Sequence, residues 1–235
     1  METSSEMIRV TTPDGSMPGL LALPQAAGQH PAVIVVIEAF GLNGHIKDVA
    51  KRIAAEGYVV LAPDMYYREG SPVATYENLP EAIRLMSGLT DDGIVRDIGA
   101  AINYLRSHEA VKADRIGMTG FCMGGRISFL AACKNSGIRA SVPFYGGGIG
   151  GLLGEADKLS CPTLLFFGDE DAFIPNDEVE RIQSTLTKLG KPAEVKVYPG
   201  AEHGFFCNER SSYNPEAAKD AWKRLLGFFA RHLGS

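Results

Sequence analysis

Cysteine is scarce in this sequence. There are four in 235 residues (Cys122, Cys133, Cys161 and Cys207), and no two form a Cys-x-x-Cys pair. Neither a zinc knuckle nor a thioredoxin-type redox site is spelled out, and the four read as free thiols. No His-Glu-x-x-His or comparable ligand spacing occurs, so no metal is expected. Long apolar runs are missing as well: the longest, Ala32 to Ile37, is far too short to cross a bilayer. A basic excess is absent, with 23 Lys and Arg against 28 Asp and Glu and a formal charge of −5. That balance argues against nucleic acid or an anionic membrane as the main partner, because both demand a basic face. The segment Met1 to Glu6 is polar and acidic, without the basic and apolar stretches of a signal peptide, which predicts a cytoplasmic protein. There is no internal repeat, low-complexity tract or Pro/Gly/Ser-rich linker, so residues 1–235 are expected to form one domain.

What is present is an alternation of β-branched apolar runs with helical patterns. It predicts an α/β fold with a mostly parallel central sheet and helices on both faces. Met7–Thr12 and Leu20–Leu23 flank the turn residues Pro13-Asp14-Gly15, which predicts an antiparallel hairpin at the sheet edge. Ala32–Ile37 reads as a strand buried on both sides. Further strands are expected at Tyr58–Ala62, Arg115–Thr119, Ala140–Tyr145, Thr163–Phe167 and Ala193–Tyr198. Helices are expected at Ile46–Glu56, stopped by Gly57, and from about Asp91 to His108, Arg126 to Lys134, Asp177 to Leu189 and Pro215 to Leu233. Gly146 to Gly151 follows a strand, but no clear helix and ribose-binding acid succeed it. It reads as a flexible rim loop, and no phosphate cofactor is expected.

The chemistry centres on Gly120-x-Cys122-x-Gly124-Gly125, between a strand and a helix. This is the spacing of a nucleophile elbow, Gly-x-Ser-x-Gly, with cysteine in the serine's place. A side chain on so tight a turn sits in strained backbone, and a Cβ two residues before or after it would clash. The helix N-terminus beside it favours a thiolate. The backbone N–H of Met123 is placed to face a developing oxyanion. Taken alone, such a glycine-rich turn also serves to bind phosphate or to allow close packing. The residues downstream bear on that choice. In this elbow fold the order along the chain is nucleophile, acid, base. Asp169 and Asp171 both follow the strand ending at Phe167, and His203 follows the last strand. These are the strand ends at which open α/β sheets bind ligands. An imidazole can hold a thiolate and protonate a leaving group, and a carboxylate fixes its tautomer. His30, His45, His108 and His232 read as surface residues.

With these pieces in order, the chain resembles the dienelactone hydrolase (carboxymethylenebutenolidase) family of α/β-hydrolases from Pro31 to about Leu233. The resemblance is carried by Glu38-Ala39-Phe40-Gly41-Leu42-Asn43, Ala62-Pro63-Asp64-Met65-Tyr66, the elbow around Cys122, Phe144-Tyr145-Gly146, Asp171-Ala172-Phe173-Ile174-Pro175 and His203-Gly204-Phe205. It implies hydrolysis of a small ester or enol lactone through a thioester on Cys122, with His203, and it selects Asp171 over Asp169. It further implies that Glu38 helps turn thiol into thiolate when substrate binds, and that the Ala39 N–H is a second oxyanion donor. Tyr145, Phe40, Arg84 and Arg210 are candidates for substrate contact. Members of the family that act on chlorinated catechol derivatives hold a substrate carboxylate with arginines, one shortly after the histidine. Here His203-Gly204-Phe205-Phe206-Cys207 has none, and Arg210 is the next arginine. Other readings on the same residues are a general carboxylesterase and a non-catalytic ligand-binding module. The expected partner is a small ester or lactone substrate, bound by a monomer, with a homodimer as the alternative.

Overall fold

The computed structural model describes residues 1–234. Eight strands build one sheet in the order β1-β2-β4-β3-β5-β6-β7-β8. They are β1 (Thr3–Thr12), β2 (Gly15–Pro24), β3 (His30–Val36), β4 (Val59–Pro63), β5 (Val111–Phe121), β6 (Ala140–Phe144), β7 (Thr163–Gly168) and β8 (Ala193–Tyr198). β1 and β2 form the expected hairpin, with Thr12 opposite Gly15. β2 pairs antiparallel with β4, and every pairing from β4 through β8 is parallel. The parallel centre explains the composition of its strands: Ala32 to Val36 and Leu165 to Phe167 have no solvent exposure, as befits strands covered on both faces.

Six helices cover the sheet: α1 (Gly44–Ala55), α2 (Leu79–Ser87), α3 (Asp91–Ser107), α4 (Met123–Lys134), α5 (Asn176–Lys188) and α6 (Pro215–Leu233). α3 and α4 pack against each other on one face. On the other, Arg52 of α1 stacks on Trp222 of α6 at 4.3 Å, and Phe229 and Leu233 fill the space left open by Gly117 of β5. No helix among the described residues is long and apolar enough to cross a membrane.

Several elements differ from the sequence expectation. The helix α2 is unforeseen: it is only nine residues long, starts on the Asn78 cap with Pro80 in its first turn, and buries just Ala82 and Leu85. β5 runs on to Phe121 and α4 starts at Met123, so Cys122 alone makes the corner. The glycine-rich stretch after β6 leads directly into a 3₁₀ segment at Ile149–Lys158 rather than a free loop. His45, expected at the surface, is buried. It packs edge-on against Phe121 and Phe206 as α1 leans on the sheet.

Candidate active site

The parallel strands present their C-terminal ends side by side, and the residues singled out by the sequence lie just beyond them. Glu38 follows β3, Cys122 follows β5, Tyr145 follows β6, Asp171 follows β7 and His203 follows β8. This is the edge at which parallel sheets collect ligand-binding loops.

The corner at Cys122 is sterically determined. Its φ of 55° and ψ of −118° are conformations that side-chain-bearing residues rarely adopt. Glycines around it allow the chain to close up. A Cβ on Gly120 would collide with the carbonyl of Gly124, and a Cβ on Gly124 would lie 2.5 Å from the Ile37 oxygen and 2.6 Å from that of Val36. The corner is stitched to the sheet by the Cys122 N–H, which donates to the Phe144 carbonyl at 3.1 Å. The Met123 N–H, first in α4, has no partner within its helix. Neither it nor the Ala39 N–H donates to a main-chain carbonyl among the described residues. Tyr66 holds the Ala39 main chain from the other side, donating its hydroxyl to the Ala39 carbonyl at 3.0 Å and lying 3.4 Å from the Met123 sulfur.

His203 donates from Nδ1 to Oδ2 of Asp171 at 2.7 Å. The other oxygen of Asp171 accepts the N–H groups of Phe173 at 2.8 Å and Ile174 at 3.1 Å, which locks the carboxylate in place. Asp169, the rival carboxylate, is engaged elsewhere: it accepts the Gly200 N–H at 2.6 Å. The imidazole is flanked by the rings of Tyr145 at 5.2 Å and Phe173 at 5.1 Å. The ring and Cys122 line the same cavity. Burial pushes the ring toward neutrality, but the Asp171 carboxylate and Cys122 outweigh it and raise its pKa from 6.5 to about 10.

Glu38 is wholly buried. Its Oε2 accepts the Tyr76 hydroxyl at 3.2 Å. Its Oε1 lies 3.6 Å from the Arg210 guanidinium, too far for a hydrogen bond, and has no other partner. Burial raises its pKa above the ordinary carboxylate value, with Arg210 and Tyr76 opposing the rise. Tyr76 is the hub of this corner: besides donating to Glu38, its hydroxyl accepts from Asn43 at 2.9 Å and from the Cys207 thiol at 3.2 Å. Asn43 in turn caps α1 through the Ile46 N–H. Nothing local in the sequence marks Tyr76, Asn43 and Cys207 as partners, since the pairs are separated by 33 and 131 residues.

A cavity of 510 Å³ opens beside Cys122, His203 and Met123, with Phe40 and Arg210 in its wall. Two candidates for substrate contact are not there. Arg84 projects from the solvent side of α2, where Glu81 at 2.9 Å and Glu69 at 3.3 Å hold it. Tyr145 is fully buried behind His203, its hydroxyl without a hydrogen-bond partner. Arg210 reaches the site although it lies beyond the stretch in which an arginine was sought, because the chain after His203 folds back and lays the guanidinium 5.7 Å from Phe40 and 5.8 Å from Tyr76.

Known proteins resemble the chain over nearly its whole length. The family model described as the dienelactone hydrolase family matches residues 17–233. A protein of Synechocystis sp. assigned as a carboxymethylenebutenolidase is 38% identical over 99% of both chains. A Bradyrhizobium protein assigned as a 2-oxo-3-(5-oxofuran-2-ylidene)propanoate lactonase is 35% identical over 91% of this chain and 88% of its own. A crystal structure from Klebsiella pneumoniae, assigned as a dienelactone hydrolase, superposes with a TM-score of 0.93 at 35% identity, covering 99% of this chain and 100% of that one. Sequence and fold together show that the chain belongs to the dienelactone hydrolase family of α/β-hydrolases and is an enzyme that hydrolyses esters or lactones.

Proposed function

We propose that Cys122 is the nucleophile of this hydrolase and that the reaction passes through a thioester. The observation that carries the reading is the single imidazole of His203, anchored by Asp171 at 2.7 Å and lining, together with Cys122 on its strained corner, one open cavity. In the first half-reaction Glu38 takes the thiol proton as substrate enters. The thiolate then attacks the carbonyl carbon, and the oxygen gains negative charge between the N–H groups of Met123 and Ala39. Collapse of this intermediate breaks the carbon–oxygen bond, and the departing oxygen takes a proton from the His203 imidazolium. Neutral His203 then removes a proton from water. The resulting hydroxide attacks the thioester, the carbon–sulfur bond breaks, the acid departs with His203 protonated again, and the Cys122 thiolate takes its proton back from Glu38.

The elevated pKa of His203 supports this cycle, because the ring must carry its proton when the leaving oxygen needs it. The elevated pKa of Glu38 supports its part, because a carboxylate stabilised in its protonated form is able to accept the thiol's proton. A thiolate suits activated esters and enol lactones, whose leaving groups depart more readily than a plain alkoxide, so long-chain triglycerides and peptides are expected to be poor substrates. Hydrolysis of an activated aryl acetate and of an enol lactone, compared between wild type and Cys122→Ala, tests the reading. Activity should vanish in the variant; equal rates on both substrates would discard it.

A further inference from the structure

The cations near the cavity lie among the chain's own carboxylates. Arg126 is bound on both arms by Asp91, at 2.7 and 3.0 Å, and both residues stand in the cavity wall. Arg210 faces Glu38. Arg84 is occupied outside the cavity by Glu81 and Glu69. Around Arg210 the cavity gives onto a second hollow of 390 Å³ bordered by Glu77, Glu170, Glu202 and Glu209, which surrounds that guanidinium with negative charge. An incoming carboxylate would have to displace Asp91 from Arg126 or approach Arg210 through this field.

The opposite wall is apolar, and its residues are unusual. The helix α2 carries two apolar stripes: Ala82 and Leu85 are buried, while Leu79, Ile83 and Met86, at helical spacing, line the cavity. Leu79 and Ile83 remain 42% and 52% exposed, and Phe173, 64% exposed, lines the same cavity. Single exposed apolar side chains need no explanation, but several gathered around one concavity mark a binding surface. A volume of 510 Å³ is in the range of small-molecule pockets.

We infer that the natural substrate is a neutral ester or lactone whose non-reacting part is aliphatic or aryl, held against Leu79, Ile83 and Met86 of α2 and against Phe173, rather than an anionic lactone held by arginine. The inference rests on the hydrolase reading above and specifies its substrate class. Each substrate methylene laid on this wall removes apolar area from water, which corresponds to about two- to fourfold in kcat/KM.

The experiment is a matched panel of phenyl esters: acetate, butanoate and hexanoate, and the half-esters of succinate and adipate that carry a terminal carboxylate. It is run on wild type, Cys122→Ala, Ile83→Glu and Met7→Glu, the last an exposed apolar residue remote from the cavity. In wild type, kcat/KM should climb along the neutral series and fall at least about tenfold when a carboxylate ends the chain. Ile83→Glu should lower the hexanoate-to-acetate ratio about tenfold, chiefly through KM, whereas Met7→Glu should leave that ratio as it is. A flat neutral series, or half-esters cleaved as well as their neutral counterparts, overturns the substrate class while Cys122-dependent turnover still upholds the hydrolase reading. Turnover that is no faster than in Cys122→Ala on every ester removes the hydrolase reading and the substrate class with it.

Discussion

Replacing Asp171 by asparagine isolates what the carboxylate does, because the geometry leaves the amide one way to fit. One oxygen of Asp171 receives two main-chain N–H groups, from Phe173 and Ile174, and only an acceptor can stay there. The amide oxygen will therefore take that position, and the NH₂ will turn to His203. An NH₂ group donates, so Nδ1 must become an acceptor and the ring proton must move to Nε2, the nitrogen left for the reaction. In that tautomer the ring cannot take a proton from water. It also loses the anion that opposed burial, the largest influence on its pKa. In wild type the rise from 6.5 to about 10 corresponds to on the order of 5 kcal/mol favouring the imidazolium, shared between Asp171 and Cys122. Loss of the Asp171 share together with the wrong tautomer should lower kcat by about 10³–10⁴-fold. The fold should survive, since the two main-chain hydrogen bonds are retained. Steady-state hydrolysis of an aryl acetate gives the rate, and thermal unfolding checks the fold. Asp169→Asn is the matched control, because Asp169 holds Gly200 rather than the imidazole. A loss below about tenfold for Asp171→Asn, or an equal loss for the control, would refute the reasoning.

Three further perturbations have signs set by the structure. Tyr76→Phe removes the donor to Glu38 and strands the Asn43 amide and the Cys207 thiol. The Glu38 pKa should rise further, moving the acid limb of the kcat/KM profile to higher pH, with a stability loss of about 1–3 kcal/mol by denaturant titration; an unmoved acid limb counts against the link between Tyr76 and Glu38. Cys122→Gly should abolish turnover yet stabilise the protein by about 1 kcal/mol, since glycine relieves the strain of a φ of 55°; a lowered melting temperature would show that the corner is not strained. The third concerns pH and stability. Because the folded pKa of His203 is raised, its contribution to stability is complete below pH 6.5 and is lost as pH climbs through about 10. The unfolding free energy of wild type should therefore decline across that window, and His203→Gln should flatten the decline.

How much of this site could be read from the chain depends on the range of the interaction that fixes each part. The elbow was legible because its physics is confined to a few residues: Gly120 and Gly124 must lack Cβ atoms when the chain turns at Cys122, and that requirement is written in adjacent letters. The strands were legible for the same reason, since a parallel strand covered on both faces must be apolar at every position, as Ala32 to Val36 are. Asp171 and Asp169 are two residues apart and chemically identical; the family resemblance selects Asp171, and the physical difference between them is its meeting with His203, 32 residues on. The course of Arg84 and Arg210 was not legible, because distance along the chain says nothing of the direction in which a long side chain leaves its backbone. Arg84 finds Glu81 one turn away on its own helix, while Arg210 crosses to a carboxylate that follows β3. The helix α2 was hidden by the function it is inferred to serve. A helix is recognised by one apolar stripe facing a core, and α2 divides its few apolar residues between the core and a cavity. Its departure from the ordinary pattern has the same physical origin as the substrate preference inferred from it: Leu79 and Ile83 sit where folding alone gives no reason for an apolar side chain, so an apolar ligand is what remains to cover them.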